Sequence, residues 1–215
     1  ARVRVPAESV YCPPAGRAWF GPSVSAWSSN GLGAHPTSRA RASEHALLEL
    51  VERDALARTL PAGWTESKAR RCFVREVPTA PGFSAFAFDL TPRAEALHTA
   101  GVLLFDLEES VVPLTAGYAC RRSYAEAEEA AFLEAAQSRL TEIHGAREDV
   151  LIGDREAGTE LLALLRTLKA RGPSTARARS ALAPHVRGRV ALVELRASPF
   201  VVKAVSPDLL VSELL

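Results

Sequence analysis

Residues 43–55 read Ser43-Glu44-His45-Ala46-Leu47-Leu48-Glu49-Leu50-Val51-Glu52-Arg53-Asp54-Ala55, the clearest helical pattern in the sequence. Its apolar residues recur three and four positions apart, which is the period of an amphipathic α-helix. We predict that the helix begins after a cap at Thr37 or Ser38 and continues to about Thr59, because Pro61-Ala62-Gly63 would end it. The preceding residues, 28–37, are small and rich in glycine, and we expect a turn there.

A second stretch, Phe132-Leu133-Glu134-Ala135-Ala136-Gln137-Ser138-Arg139, repeats the pattern further along the chain. The capping box Ser123-Tyr124-Ala125-Glu126 predicts where its helix begins, and the helix should end near Ile143. Three glutamates crowd its N-terminal part, where the helix dipole favours negative charge. We expect them to form a solvated face: Glu126, Glu128 and Glu129.

The remaining elements are shorter. Alternating or apolar runs predict strands, at residues 3–5, 9–11, 83–90, 102–107, 111–116, 189–195 and 200–205. Helices are expected at residues 91–95 and over Glu156–Arg171, followed by a linker to Pro184. The order lacks the regular βαβ alternation of a doubly wound sheet, so we predict an α+β protein with mixed sheets packed against long helices. Residues 1–215 are expected to form a single domain.

Composition excludes several classes of function. A net charge of +1 provides no long-range field for nucleic acid or an anionic membrane. No apolar run reaches the roughly 18 residues of a membrane helix. Three widely spaced cysteines favour neither a zinc site nor a disulfide framework, so a reducing cytoplasm is expected. The sequence has no phosphate-binding GxxxxGK[ST] loop and no pattern of a catalytic triad.

Paired side chains on the two long helices point to a metal site. Residues three apart on a helix share a face, so Glu49 with Glu52, and Glu134 with Gln137, can each address one point. Mg²⁺ prefers oxygen ligands, which carboxylates supply. We therefore predict that Glu49, Glu52 and Glu134 hold Mg²⁺ of a magnesium–polyphosphate complex, while Gln137 binds either the metal or the nucleotide.

Arginines near these glutamates are candidates for phosphate binding, because a guanidinium group can bind phosphate oxygens through two hydrogen bonds at once. They are Arg53, Arg139 and Arg147. Acidic and basic residues at helical spacing are most often a solvated face with weak ion pairs, and spacing alone favours that alternative. No residue is identified as a catalytic acid, base or nucleophile.

The whole set of motifs resembles the YcaO family. The resemblance extends from about residue 3 to residue 210, and the glutamate helix and the Glu-x-x-Gln helix are fairly specific when they occur together. The motifs are Asn30-Gly31-Leu32-Gly33-Ala34, Glu49-x-x-Glu52-Arg53-Asp54-Ala55, Gly117, the segment from Glu134 to Arg139, Gly145-Ala146-Arg147-Glu148-Asp149, and the closing strand Pro199–Pro207. From the resemblance, we expect that the N-terminal part of the usual family domain is absent here.

The resemblance implies a YcaO-like fold and activation of a peptide backbone amide, with ATP and Mg²⁺ as cofactors. The amide oxygen would be phosphorylated, and the product in a ribosomally made peptide would be an azoline, a thioamide or an amidine. The implied partners are the peptide substrate, a substrate-delivery or sulfur-delivery protein and a second copy of the chain. The alternative is a non-catalytic YcaO-like scaffold or peptide-binding subunit of a modification complex.

Overall fold

The computed structural model describes residues 4–5, 10, 29–61, 63–92, 97–108, 112–143, 155–173 and 188–210. The chain divides into two compact units: unit 1 is Ala1–Pro61 with Ala178–Leu215, and unit 2 is Ala62–Arg177. The elements are β1 (Ser29–His35), α1 (Arg39–Thr59), α2 (Glu66–Cys72), β2 (Phe73–Val77), β3 (Phe83–Asp89), β4 (His98–Asp106), β5 (Leu114–Arg121), α3 (Tyr124–Ile143), α4 (Arg155–Arg166), β6 (Ala191–Ala197) and β7 (Phe200–Ser206).

Unit 1 consists of α1 packed on a three-stranded sheet with strand order β1-β7-β6. Both pairings are antiparallel, and Gly31 and Gly33 lie opposite Ala204 and Val202 of β7. The core between helix and sheet consists of small and branched apolar residues, among them Ala42, Ala46, Leu50, Val202 and Ala204.

Unit 2 is a four-stranded antiparallel sheet with strand order β2-β3-β4-β5. One face of the sheet carries α3, whose buried alanines contact small residues of the strands, such as Ala85 and Ala87 of β3. Phe86 and Phe88 of β3 lie on the other face, where Phe86 contacts Phe105 and Phe88 contacts Trp64, with ring centroids 5.7 and 4.6 Å apart. Phe83, at the start of β3, lies on the α3 face. From residue 85 to residue 88, the predicted alternation of small and large residues thus separates the two faces of the sheet.

The main predicted elements are confirmed. α1 begins after Ser38, whose Oγ accepts a hydrogen bond from the Arg41 N–H at 3.3 Å. α3 begins after Ser123, whose Oγ accepts from the Glu126 N–H at 3.4 Å. The hairpin of β4 and β5 and the two closing strands β6 and β7 are also present, and the fold is α+β. Every described strand pairing is antiparallel.

The turn predicted over residues 28–37 is wrong for most of its length, because residues 29–35 form β1. Glycines usually weaken strands, which is why the sequence suggested a turn. Here Gly31 and Gly33 lie directly against the backbone of α1, so the strand needs residues without a side chain at these two positions. This close contact of the two backbones sets the position of β1 against α1.

Other differences concern unit 2 and its last helix. The sequence did not predict α2 and β2. The helix expected over Glu156–Arg171 ends at Arg166, where bonds from Thr167 and Leu168 to carbonyls three residues back tighten the last turn. The chain must leave the helix there, because the Arg171 N–H donates to the Val74 carbonyl of β2.

Several predictions fall outside the described residues or are not tested by them. The short helix at 91–95 and the strands at 3–5 and 9–11 lie mostly outside the described residues, as does most of the linker to Pro184. The single domain stays a prediction. Among the described helices, none has the length and apolar character needed to cross a membrane.

Candidate functional site

The strand β1 approaches helix α1 so closely that only glycine fits at two positions. A Cβ atom added to Gly31 would lie 2.2 Å from the Ala46 carbonyl oxygen and 2.6 Å from the Leu50 nitrogen. A Cβ on Gly33 would lie 2.0 Å from the Ala42 carbonyl oxygen. Close contact of strand and helix backbones leaves little freedom for the helical side chains that border it.

Glu49 borders this contact, and both of its carboxylate oxygens accept hydrogen bonds. The Leu32 N–H of β1 donates to Oε2 at 2.7 Å, and Arg53 Nη2 donates to Oε1 at 2.8 Å. An ionised carboxylate has about four lone-pair sites, so these two bonds orient Glu49 and leave it able to bind a cation. Arg53 Nε is buried and has no hydrogen-bond partner among the described residues, so one donor of this guanidinium remains unused.

Glu52 lies one turn after Glu49 on α1 and is only 8% exposed. Asp54 is buried as well, and it accepts hydrogen bonds from the Leu210 N–H and from Arg58 Nε, both at 2.8 Å. Because Glu52 and Asp54 are buried, this side of α1 is not the solvated face that spacing alone favours. A buried carboxylate must be compensated by hydrogen-bond donors or cations.

Helix α3 repeats this arrangement against strand β5. A Cβ on Gly117 would lie 2.2 Å from the Ala131 carbonyl oxygen and 2.3 Å from the Ala135 nitrogen. The buried Thr115 hydroxyl donates to the Ala135 carbonyl at 3.0 Å, which ties the same turn of α3 to β5. Glu134 therefore stands beside a close strand–helix contact, as Glu49 does in unit 1.

Glu134 and Gln137 line a cavity of about 490 Å³ on the outer side of α3, which we call the α3 pocket. Its other lining residues are Arg121, Ala130, Leu133, Ser138 and Thr141. The pocket thus combines one carboxylate, one amide, two hydroxyls and one guanidinium with an apolar wall. Sequence reasoning missed Arg121, and its place at the end of β5, beside the start of α3, is the signal that could have identified it.

Arg139, expected to be available for phosphate, is instead held in an ion pair within unit 2. It forms an ion pair with Asp106 at the end of β4, and its guanidinium carbon lies 5.2 Å from the centre of the Phe83 ring. The two charged side chains are 17% and 5% exposed, so this is a nearly buried pair. Arg139 Nη1 is also buried and lacks a hydrogen-bond partner within the described residues. Arg147 lies outside the described residues.

Tyr118 of β5 is electrostatically linked to Glu134. Burial raises the pKa of the Tyr118 hydroxyl to about 12, the hydrogen bond from Trp64 Nε1 opposes this shift, and the charge of Glu134 adds to it. The Trp64 bond is 2.9 Å long. Tyr118 is therefore protonated at neutral pH.

The solvated face predicted at the start of α3 is wrong for Glu128. Glu126 and Glu129 are exposed as expected, whereas Glu128 is buried and forms an ion pair with Arg75 of β2. The spacing of glutamates on one helix could not reveal this pair, because its partner comes from a strand that the sequence did not predict.

The proposed metal ligands divide between the units: Glu49 and Glu52 belong to unit 1, and Glu134 belongs to unit 2. Within the described part of either unit, no three His, Cys, Asp or Glu side chains are grouped so that they could hold a metal ion. The chemistry of the predicted set, three carboxylates and one amide, fits Mg²⁺, and the unused donors of Arg53 and Arg139 fit phosphate oxygens. The ligand assignment stays a prediction.

Comparison with known proteins identifies the family. The sequence matches, over residues 1–198, the family described as YcaO cyclodehydratase, ATP- and Mg²⁺-binding. Comparison with curated proteins found no match.

Among solved structures, the fold is similar to a chain of the E. coli microcin synthetase McbBCD complex with pro-MccB17 bound, with a TM-score of 0.55 and 18% identity over 83% of this chain and 54% of that one. It is also similar to YcaO from Methanopyrus kandleri bound with AMPPCP and Mg²⁺, with a TM-score of 0.54 and 17% identity over 87% and 56% of the two chains. A heterocyclase in complex with substrate and cofactor gives a TM-score of 0.54 and 15% identity over 94% of this chain and 30% of that one.

The chain thus spans about half the length of the first two proteins it resembles. ATP and Mg²⁺, the cofactors expected from the sequence, are those of the matched family. The chain belongs to the YcaO family.

Proposed function

We propose that this protein uses ATP and Mg²⁺ to activate a backbone amide of a ribosomally made peptide by phosphorylating its oxygen. The product would be an azoline, a thioamide or an amidine, depending on whether a side chain of the peptide, sulfide or an amine attacks the amide carbon. The observation that carries the proposal is the matched pair of strand–helix contacts, which hold Glu49 and Glu134 at corresponding positions in a chain of a family described as ATP- and Mg²⁺-binding.

The residues have separable roles in this proposal. Glu49, Glu52 and Glu134 would hold Mg²⁺, and Gln137 would bind the metal or the nucleotide. The Leu32 N–H and Arg53 fix the Glu49 carboxylate in advance, so its orientation does not have to be established when the metal binds. Arg53, Arg139 and Arg147 would bind phosphate oxygens, and for the first two the support is a buried guanidinium nitrogen without a partner in the described residues.

The chemistry explains why a nucleotide is required. An amide oxygen is a poor leaving group in water, and transfer of a phosphoryl group from ATP makes it a good one while Mg²⁺ neutralises charge. The contribution of this chain is to orient carboxylates and guanidinium groups around the phosphates. Tyr118 stays protonated beside Glu134, so it adds no negative charge near this ligand.

Glutamine variants test the proposal, since glutamine keeps the size of glutamate but removes its charge. We expect Glu49→Gln and Glu134→Gln each to abolish Mg²⁺-dependent phosphate release from ATP while the circular dichroism spectrum stays unchanged. Glu126→Gln is the matched control, because Glu126 is an exposed glutamate of α3. Normal phosphate release by both site variants would refute the metal assignment.

A non-catalytic scaffold is the second candidate, and two contacts favour it. Glu49 already accepts two hydrogen bonds, and Arg139 is held by Asp106 and the ring of Phe83. If these groups are purely structural, the protein would bind a peptide or a partner without turning over ATP. A folded wild-type protein that releases no phosphate and binds no nucleotide would favour this candidate.

Partners and location complete the proposal. The peptide substrate would be presented by a substrate-delivery or sulfur-delivery protein, and the chain would form a homodimer; we propose neither nucleic acid nor a membrane as a partner. A reducing cytoplasm is proposed from the wide spacing of the three cysteines in the sequence; Cys72 and Cys120 are buried and form no disulfide within the described part of the chain. Analytical ultracentrifugation of the purified chain tests the homodimer.

A further inference from the structure

Arg121 is the last residue of β5, and it lies on the face of this strand that packs against α3. Side chains alternate along a strand, so the same face carries Thr115, Gly117 and Ala119. Thr115 and Gly117 contact the backbone of α3, and Ala119 belongs to the core beneath the helix. Arg121 continues this row past the core, where its side chain lines the α3 pocket.

The guanidinium group of Arg121 has unused hydrogen-bond donors. Within the described part of the chain its one acceptor is the Cys120 carbonyl, 2.7 Å from Nη1. A guanidinium group has five N–H donors, so this single bond leaves most of them available. Arg121 is half-buried, and it forms no ion pair with a described carboxylate, although Glu134 lines the same pocket. Such a guanidinium group is suited to bind an anionic ligand.

Arg139, the arginine of α3 that the sequence predicts to bind phosphate, is less available. Its ion pair with Asp106 is nearly buried, and its guanidinium carbon lies 5.2 Å from the centre of the Phe83 ring. Arg139 is also not among the residues that line the α3 pocket. Among the described residues, Arg121 is therefore the arginine that the fold places in this pocket.

The charges of the α3 pocket are arranged differently from those around Glu49. In unit 1, Arg53 binds Glu49 directly at 2.8 Å. In unit 2, Arg121 and Glu134 line one cavity of about 490 Å³ without forming an ion pair. A ligand that carries a cation and an anion together is complementary to such a cavity. A magnesium–polyphosphate complex is such a ligand, because Mg²⁺ prefers carboxylate oxygens and phosphate matches the guanidinium group.

We propose that Arg121 binds phosphate oxygens of the nucleotide whose Mg²⁺ Glu134 helps to hold. This inference rests on the proposed function and adds to it a residue that the sequence motifs do not contain. Arg121 orients the phosphate chain and neutralises part of its charge. It transfers no proton, because a guanidinium group stays charged throughout the physiological pH range.

The test measures binding of a non-hydrolysable ATP analogue to the full chain by calorimetry in the presence of Mg²⁺. We expect Arg121→Gln to weaken this binding at least about tenfold, the value of one lost hydrogen bond between charged groups. Arg121→Lys keeps the charge but loses the planar pair of donors, so its affinity should lie between those of the wild type and Arg121→Gln. Adenosine has no phosphate, and its affinity should be the same for Arg121→Gln and wild type.

Arg71→Gln is the matched control. Arg71 is an exposed arginine of α2 in the same unit, and it does not line the α3 pocket. Its substitution removes the same charge from the protein, so it separates a local contact from a change in net charge. We expect the affinity for the analogue to remain that of the wild type. Circular dichroism and thermal unfolding show whether each variant is folded.

A second measurement uses the wild-type protein alone, so a folding defect in a variant cannot decide the result. Phenylglyoxal modifies accessible guanidinium groups, and mass spectrometry of peptides reports the rate for each arginine. We expect the ATP analogue with Mg²⁺ to slow modification of Arg121 strongly. Modification of Arg71 should proceed at the same rate with and without the analogue.

Three results would overturn the role of Arg121. They are wild-type affinity for the analogue in folded Arg121→Gln protein, equal weakening of adenosine binding in that variant, and modification of Arg121 that the analogue does not slow. If the wild type binds the analogue with Mg²⁺ and Glu134→Gln abolishes this binding, each of these results refutes the role of Arg121 and leaves the proposed function standing. Absence of Mg²⁺-dependent binding in the wild type would refute the proposed function, and the role of Arg121 with it.

Discussion

The strand–helix pairs β1–α1 and β5–α3 share a backbone arrangement but not a side-chain environment. In each pair a serine caps the helix, a glycine of the preceding strand lies against the helix backbone, and a glutamate follows one turn after the contacted alanine carbonyl. The same separation in sequence relates Ser38 to Ser123, Ala46 to Ala131 and Glu49 to Glu134.

The difference begins four residues after each glutamate. Arg53 occupies this position in α1 and holds Glu49, whereas α3 has Ser138, and Glu134 lines an open pocket. The next residue also differs in charge: Asp54 binds the Leu210 N–H, and Arg139 pairs with Asp106. The same backbone arrangement therefore presents a carboxylate held by an arginine in unit 1 and a carboxylate beside a ligand-sized cavity in unit 2.

The strongest test of the shared backbone arrangement adds a methyl group to its glycines. We expect Gly31→Ala and Gly117→Ala each to lower the free energy of unfolding by about 3 kcal/mol or more, because the added carbon meets backbone atoms that cannot move aside. Urea unfolding followed by circular dichroism measures the change. Gly158→Ala is the control, since it lies in α4 with open space around it and should stabilise the protein by about 1 kcal/mol. An unchanged free energy of unfolding for either alanine variant would show that this strand glycine is not required for the close contact with the helix.

Removing Arg139 tests the residue that distinguishes α3 from α1. We expect Arg139→Met to lower the free energy of unfolding by about 3 kcal/mol, because it leaves the Asp106 carboxylate buried without its partner. Arg70→Met is the matched control: its pair with Glu66 is exposed, and its loss should cost about 0.5 kcal/mol or less. Equal losses in the two variants would show that the Arg139 pair is not structural, and would leave Arg139 available for phosphate.

Alkaline pH should destabilise unit 2 through Tyr118. The pKa is 10.0 in the unfolded chain and about 12 in the fold, so the hydroxyl is neutral in both states below pH 10.0. Its contribution to stability is complete there and is lost as the pH rises from 10.0 to about 12, because only the unfolded state can readily ionise. Between pH 10.0 and about 12, the free energy of unfolding should fall less steeply with pH for Tyr118→Phe than for wild type. Parallel slopes would contradict the assignment.

Acid should act on unit 1 through Asp208. Its exposed carboxylate accepts hydrogen bonds from the side chain and the backbone N–H of Arg189, and these bonds lower its pKa from 3.8 to about 2. The resulting stabilisation is present above pH 3.8 and is lost as the pH falls through about 2. NMR titration of this carboxyl group measures the effect directly, and a midpoint at 3.8 would exclude the predicted interaction. Asp208→Asn should remove the pH dependence.

A reciprocal exchange of Arg53 and Ser138 gives the smallest expected effects. Arg53→Ser removes a donor from half-buried Glu49, and we expect a loss of about 1 kcal/mol in the free energy of unfolding. Ser138→Arg places an arginine four residues after Glu134, which on a helix surface changes stability by about 0.5 kcal/mol or less. Urea midpoints of the two variants measure both effects. A larger change in the free energy of unfolding for Ser138→Arg than for Arg53→Ser would contradict the stronger hold that we assign to Glu49.

Sequence periodicity predicted the long helices because their apolar faces and serine caps are local signals. It predicted β3 because the alternation of phenylalanine and alanine follows the two faces of a sheet. Residues 29–35 misled the prediction, since a glycine-rich segment resembles a turn unless the helix against which it packs is known. Packing against α1 makes this segment a strand, and no local sequence pattern reports that packing.

For the candidate site, the sequence predicted the positions of residues on their helices but not their contacts with distant strands. The helical positions of Glu49, Glu52, Glu134 and Gln137 follow from spacing. Contacts with strands distant in sequence do not follow from spacing: the Leu32 N–H binds Glu49, Asp106 pairs with Arg139, and Arg75 pairs with Glu128. Burial of Glu128 depends on such a partner, and the sequence therefore placed it wrongly in solvent.

Calorimetry with a non-hydrolysable ATP analogue measures whether the protein binds a nucleotide together with Mg²⁺. The wild-type chain should release heat on binding the analogue only when Mg²⁺ is present. Glu49→Gln in α1 and Glu134→Gln in α3 should each abolish that heat in folded protein, because both glutamates are proposed ligands of the metal that accompanies the nucleotide. Absence of Mg²⁺-dependent heat in the wild type, or unchanged binding in both variants, would contradict the account.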